Sequence, residues 1–323
     1  MFRTEISINP SPFRIDHRSK FFTIGSCFSD VMGEKLLENK FRTLVNPFGT
    51  VFNPHSIFSL LNASLGKDNP FEDDSVESNG IWYNYHFHSE VSALSRKELN
   101  DTIHKKLTFA SDFLKQTKVL TITFGTAFVY KLQSNQHLVC NCHKQPSALF
   151  SRELLSAEQI SNAFHAFYEK LIRFNPDLKI ILTVSPVRHI KDTIPLNSLS
   201  KSILRLACHE ISDKHEDISY FPAYEIMMDD LRDYRFYKKD MIHPSEVAEE
   251  YIWDKFCDTY IEPSSLDFMK EWAGIRKALD HKAFHPESAS HQAFIRETIR
   301  KIKSLSSQAD LSAELSQLEN QLK

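Results

Sequence analysis

Residues 20–37, KFFTIGSCFSDVMGEKLL, set a short apolar run against Gly25-Ser26-Cys27 and then a helical pattern. Phe21 to Ile24 read as a buried strand. Ser29-Asp30 reads as a helix cap, and Val31, Met32, Leu36 and Leu37 share one face of a helix predicted over 29–40. With only seven glycines in 323 residues, a glycine at this junction marks a turn between two ordered elements. The same alternation recurs along the chain. Apolar, β-rich runs at 118–124, 179–185 and 218–221 read as further strands, with helical patterns over 95–116, 153–174, 197–215 and 245–260. Ser95 with Glu98 three places on gives the first of those helices a capping-box start. Strands alternating with long helices predict parallel βαβ units in a three-layer α/β/α sandwich. In such sheets ligands bind beyond the carboxyl ends of the strands, so the residues after each strand carry the functional reading.

From about residue 263 the texture changes. Strand signals stop, and 265–283 and 288–322 read as helices rich in Lys, Glu, Gln and Ser, separated by Pro286. Leu311, Leu315 and Leu318 form a stripe too thin for a core helix. The expected organisation is therefore an α/β domain over 1–262 and a peripheral helical extension over 263–323, a possible homo-oligomer contact.

Composition excludes several classes. The 39 basic and 42 acidic residues give a formal charge of −3, so no nucleic-acid or anionic-membrane partner is expected. Five cysteines (27, 140, 142, 208, 257) lack the spacing of a disulfide framework or zinc site and read as reduced, mostly buried thiols. The first five residues hold no apolar stretch of signal-peptide length, and no run reaches the ~18 apolar residues of a membrane span, so a cytoplasmic protein is expected. The 25 phenylalanines predict an aromatic core.

Polar and glycine residues gather after the strands: Gly25-Ser26-Cys27, Gly125-Thr126-Ala127, Ser185-Pro186-Val187-Arg188-His189, and, before the 245–260 helix, Asp240-Met241-Ile242-His243-Pro244. A hydroxyl at a strand-to-helix corner is a weak nucleophile until a base held in one tautomer takes its proton. Asp240 and His243, three apart on a turn, supply that pair: the carboxylate holds Nδ1–H and leaves Nε2 for Ser26. Cys27 points away from its neighbour and reads as packing. Arg188 and His189 read as contacts for an acidic or sugar substrate. His86 and His88 alternate with aromatics without a metal-site pattern, so no metal or cofactor is expected.

Gly25-Ser26-Cys27-Phe28-Ser29 resembles the motif that names the GSCFA-domain family, with serine for its last alanine. The likeness continues through Asn46-Pro47-Phe48-Gly49, Thr123-Phe124-Gly125-Thr126-Ala127, Asn141-Cys142-His143-Lys144, Ser185 to His189, Tyr234-Arg235-Phe236-Tyr237 and Asp240 to Pro244, over roughly residues 20–260. The family is similar to the SGNH, or GDSL-like, hydrolases. That resemblance implies a flavodoxin-like fold and an ester hydrolase working through Ser26, His243 and Asp240. The oxyanion would be received by the N–H groups of Ser26 and Gly49, near Gly125 and Thr126. It implies short acyl esters of carbohydrates or other small polar molecules as substrates. An acyltransferase and a catalytically weak binding protein are the alternatives. Two positions depart from the hydrolase pattern: no aspartate precedes Ser26, and Ala127 stands where an asparagine would donate its amide. Asn141 and His143, returned by a hairpin from Thr126 to Cys142, are the expected replacements.

Overall fold

β1 (Lys20–Gly25) belongs to a five-stranded parallel sheet, between the edge strand β2 (Arg42–Val45) and the central β3 (Val119–Phe124); β4 (Lys179–Val184) and β5 (Ile218–Phe221) continue beyond β3. The spatial order 2-1-3-4-5 is that of a flavodoxin-like doubly wound sheet. In register, Ile24 pairs with Ile122 and Gly25 with Thr123, while Val184 pairs with Phe124, so β1, β3 and β4 end level with one another. The computed structural model describes residues 4–66, 69–281 and 283–322.

Neighbouring residues of β1 face opposite layers, as the period of a strand requires. Phe22 and Ile24 enter a core with α2 (Pro54–Leu65), α3 (Arg96–Leu114), α4 (Ala157–Phe174) and α5 (Ile194–Ser212). Phe21 enters the other, with α1 (Cys27–Glu38) and α6 (Glu246–Tyr260). Burial on both faces explains why these strands read as continuous apolar runs. The aromatic core is present: Phe58 holds Phe124, Phe164 and Phe167 at ring-centroid distances of 5.6–5.8 Å. No helix among the described residues is long and apolar enough to cross a membrane.

Several boundaries differ from expectation for identifiable reasons. α1 begins at Cys27, because Ser26 itself takes the capping position and accepts from Phe28 N–H. Residues 150–154 pair with 128–132 instead of opening a helix, and α4 starts after a capping box between Ser156 and Gln159. C-terminally, α7 (Pro263–Leu279), α8 (Ala289–Leu305) and α9 (Ser312–Glu319) replace the two expected helices. Leu311 and Leu318, read as a stripe too thin for a core, are buried in a cluster of their own with Phe268, Trp272 and Ile302. That cluster is docked on the far end of α1 by Trp272 Nε1–H to Glu38 O (2.8 Å), Arg276 to Glu38 (3.1 Å) and a Lys40–Glu314 ion pair.

Candidate active site

The corner after β1 is held by its neighbours on every side. Gly25 has φ +141°, and a Cβ there would lie 2.1 Å from Thr123 O, so no other residue fits without moving the central strand. Asn46 locks the corner from below: its Oδ1 accepts Gly25 N–H (2.9 Å) and its Nδ2 donates to Asp30 (2.6 Å). Val51 N–H reaches Gly25 O (2.8 Å), so the 46–52 loop crosses the end of β1.

Within this corner Ser26 is wholly buried. Its N–H donates to Thr123 O (3.1 Å), and its hydroxyl accepts from Phe28 N–H (3.4 Å). Gly49, with φ +76°, closes a turn by donating its N–H to Asn46 O (2.8 Å). The N–H groups of both Ser26 and Gly49, the expected oxyanion donors, thus have carbonyl partners in this structure. Gly125 and Thr126 likewise donate to Phe52 O at 2.7 and 3.0 Å, and Ala127 N–H donates to Ser200 Oγ (2.8 Å).

The expected replacements for the missing asparagine have partners of their own as well. The hairpin forms, with 128–132 against 138–139, and the chain leaves it through Asn141 and His143. Asn141 Nδ2 donates to Ser89 Oγ (3.3 Å). His143 is buried, with Nε2 on Asn84 O (2.8 Å), Nδ1 near Ser89 Oγ (3.2 Å) and its ring stacked on Tyr83. Burial pushes its pKa down. Both ring nitrogens are engaged.

Asp240 and His243 meet as their spacing predicts. Asp240 Oδ2 lies 2.7 Å from His243 Nδ1, while Oδ1 accepts the N–H groups of Ile242 (2.9 Å) and His243 (3.1 Å). These hydrogen bonds hold the Asp240 carboxyl down at about 2, so it is a carboxylate throughout the neutral range. The turn is stitched to the end of β4 through Arg188 N–H on Ile242 O (3.2 Å). The Arg188 guanidinium lies over the rings of Tyr237 (3.9 Å) and Tyr234 (5.3 Å), an arrangement that favours a cation. His189, next along, has its ring edge-on to Phe52 and 3.2 Å from where a Gly125 Cβ would stand. Its Nε2 is buried and has no partner among the described residues. Burial, with Lys201 and His243 nearby, pushes its pKa down to about 3, leaving a neutral imidazole.

Lys201 is the residue that the sequence did not reveal. It sits inside α5 at 1% exposure, and its Nζ donates to Gly125 O (2.8 Å) and Ser185 O (2.7 Å), bridging the ends of β3 and β4. Burial pushes its pKa down to about 7, with Cys27 acting in the opposite sense. The one sequence signal is a lysine inside the apolar face of the 197–215 pattern. Among the described residues, no group of three or more His, Cys, Asp or Glu side chains is placed to hold a metal ion.

Among curated proteins none matches the chain. Similar solved structures include an acetyl xylan esterase from the rumen bacterium Butyrivibrio proteoclasticus, 13% identical, covering 74% of this chain and 63% of that one at a TM-score of 0.34. A family 3 carbohydrate esterase from Clostridium thermocellum is 11% identical, covering 79% and 99%, at a TM-score of 0.32. The GSCFA C-terminal domain model matches residues 272–323. With the GSCFA family model matching residues 20–256, the strand-to-helix corner and the Asp240–His243 turn included, the chain belongs to the GSCFA family.

Proposed function

We propose that this protein is an ester hydrolase acting by acyl transfer at the corner after β1. The observation that carries the reading is the 2.7 Å contact between Asp240 Oδ2 and His243 Nδ1, on a turn tied to the end of β4. A permanently ionised carboxylate on Nδ1 fixes the tautomer and leaves Nε2 as the proton acceptor. His243 takes the proton of a nucleophile from the Gly25-Ser26-Cys27 corner, which holds two candidates, Ser26 Oγ and Cys27 Sγ. The nucleophile adds to the ester carbonyl, and His243 returns the proton to the departing alcohol. Water activated by the same imidazole then releases the acid.

Arg188 over Tyr237 and Tyr234 gives the rim a cation beside flat apolar faces, which suits a short acyl ester of a carbohydrate or another small polar molecule. Transfer to a sugar hydroxyl would use the same steps. The solvent exposure of the His243 side chain, 41%, favours water as the acceptor. The binding reading has its own support in the N–H groups of Ser26, Gly49, Gly125, Thr126 and Ala127, all of which already have partners. Hydrolysis of p-nitrophenyl acetate decides between catalysis and binding. The wild type is expected to exceed the double variant Ser26→Ala/Cys27→Ala by at least about 10³-fold in kcat/KM; equal rates would leave the binding reading.

A further inference from the structure

Ala127, where the hydrolase pattern has an asparagine, is wholly buried in the core beside Phe124, and its methyl side chain offers no donor. The backbone N–H groups of Ser26, Gly49, Gly125, Thr126 and Ala127 already have partners. A carbonyl oxygen arriving at the strand ends still needs a hydrogen to receive it, because negative charge develops there as the nucleophile adds.

His189 holds one. Among the described residues, two buried side-chain nitrogens have no partner, His189 Nε2 and Arg276 Nε, and Arg276 lies in α7 with its guanidinium already on Glu38. A buried polar atom left open at a strand end is costly unless something binds there. Gly125 makes the room: a Cβ on it would stand 3.2 Å from His189 Nε2 and 3.1 Å from Phe52 O. Observed contacts tie this ring to both halves of the candidate site. Phe52 meets it edge-on at 5.4 Å between centroids and accepts Gly125 N–H (2.7 Å), while Val51 donates to Gly25 O (2.8 Å). Arg188 N–H on Ile242 O (3.2 Å) joins the residue before His189 to the residue before His243. His189 N–H is itself held by Asn197 Oδ1 (2.9 Å), and Lys201 Nζ holds the carbonyl of Gly125 (2.8 Å). With its pKa pushed down to about 3 by burial, the imidazole is neutral, and a neutral imidazole donates a hydrogen bond without giving up its proton.

We propose that His189 Nε2–H is the oxyanion donor of this site, standing in for the asparagine that Ala127 replaces. The proposal rests on the acyl-transfer reading above and holds for either nucleophile, Ser26 or Cys27. As the nucleophile adds, the carbonyl π pair moves onto oxygen and the hydrogen bond from Nε2–H to that oxygen strengthens. When the C–O bond to the alcohol breaks, the pair returns to the carbonyl. The proton stays on Nε2 throughout.

Two measurements test this. In the first, kcat and KM for p-nitrophenyl acetate are compared for wild type, His189→Phe, His189→Gln and His243→Ala, with circular dichroism confirming the fold of each. His189→Phe keeps a ring against Phe52 but carries no donor, and is expected to lose about 10²–10³-fold in kcat with KM within roughly threefold of wild type. His189→Gln returns an amide N–H and is expected to recover at least about tenfold over His189→Phe. A residue that only filled space would give the reverse order. In the second, nitrogen–proton correlation NMR spectra of the wild type, which need no variant to fold, are expected to show the His189 proton on Nε2. A His189→Phe variant as fast as wild type, a His189→Gln variant no faster than His189→Phe, or a proton on Nδ1 alone overturns the donor and leaves acyl transfer standing. A wild type no faster than His243→Ala overturns acyl transfer itself.

Discussion

Asp240 accepts three hydrogen bonds within its own turn, two from backbone N–H groups and one at His243 Nδ1. Asp240→Asn keeps an acceptor for the backbone but loses the charge that orients the imidazole. It is expected to lower kcat of ester hydrolysis roughly 10²–10³-fold with little change in KM. Steady-state kinetics check this; an unchanged kcat would remove Asp240 from the reaction. This pair was legible in the sequence because an Asp-x-x-His turn is local, and local geometry follows from spacing. The choice between Ser26 and Cys27 was not. A serine before a helix is equally a cap, and the bond from Phe28 N–H to Ser26 Oγ (3.4 Å) shows that it caps α1. The partners of His143 were not legible either, since a hairpin can be read from the sequence but not the neighbour it packs on.

At the level of elements, the corner depends on groups far apart in sequence. Gly25→Ala would drive a Cβ to within 2.1 Å of Thr123 O at a positive φ, costing more than about 3 kcal/mol in strain and clash. A lowered urea midpoint, or failure to recover folded protein, is the expected result. Lys201 adds a pH signature. Its folded pKa, about 7, lies below the ordinary 10.5, so between those values the unfolded chain binds more protons. Stability from this group is therefore fully present above about 10.5 and is lost as pH falls toward 7. Lys201→Met should flatten the slope of unfolding free energy against pH in that window, measured by urea titrations at pH 7.5, 8.5 and 9.5. An unaltered slope would show that the lysine titrates normally. The strands β1, β3 and β4 were legible because burial on both faces makes them largely apolar, and β5 because its ends, Ile218 and Phe221, are buried. β2 and α2 were not, as Arg42–Val45 is short and half-buried, and α2 follows the Asn53 cap without a strand to announce it. The hairpin 75–78/81–84 carried a readable Asn79-Gly80 turn, both residues at positive φ.

Over the whole molecule, α1 links two functions. Its N-terminus forms the corner proposed as the reaction site, and its C-terminus, twelve residues or roughly 18 Å away, receives the C-terminal helices through Glu38. Trp272→Ala should therefore destabilise the fold by about 3–5 kcal/mol in urea while leaving ester hydrolysis unchanged below the transition. A matching loss of activity would mean that the helices act on the site. The docking was illegible in the sequence because its contacts join Glu38 and Lys40 to residues more than 230 positions away. The claim on which the rest depends is that His243 moves the proton in ester cleavage. The most direct measurement is kcat/KM for p-nitrophenyl acetate in wild type and His243→Ala. The expected ratio is at least about 10³, and equal rates in the two proteins would contradict it.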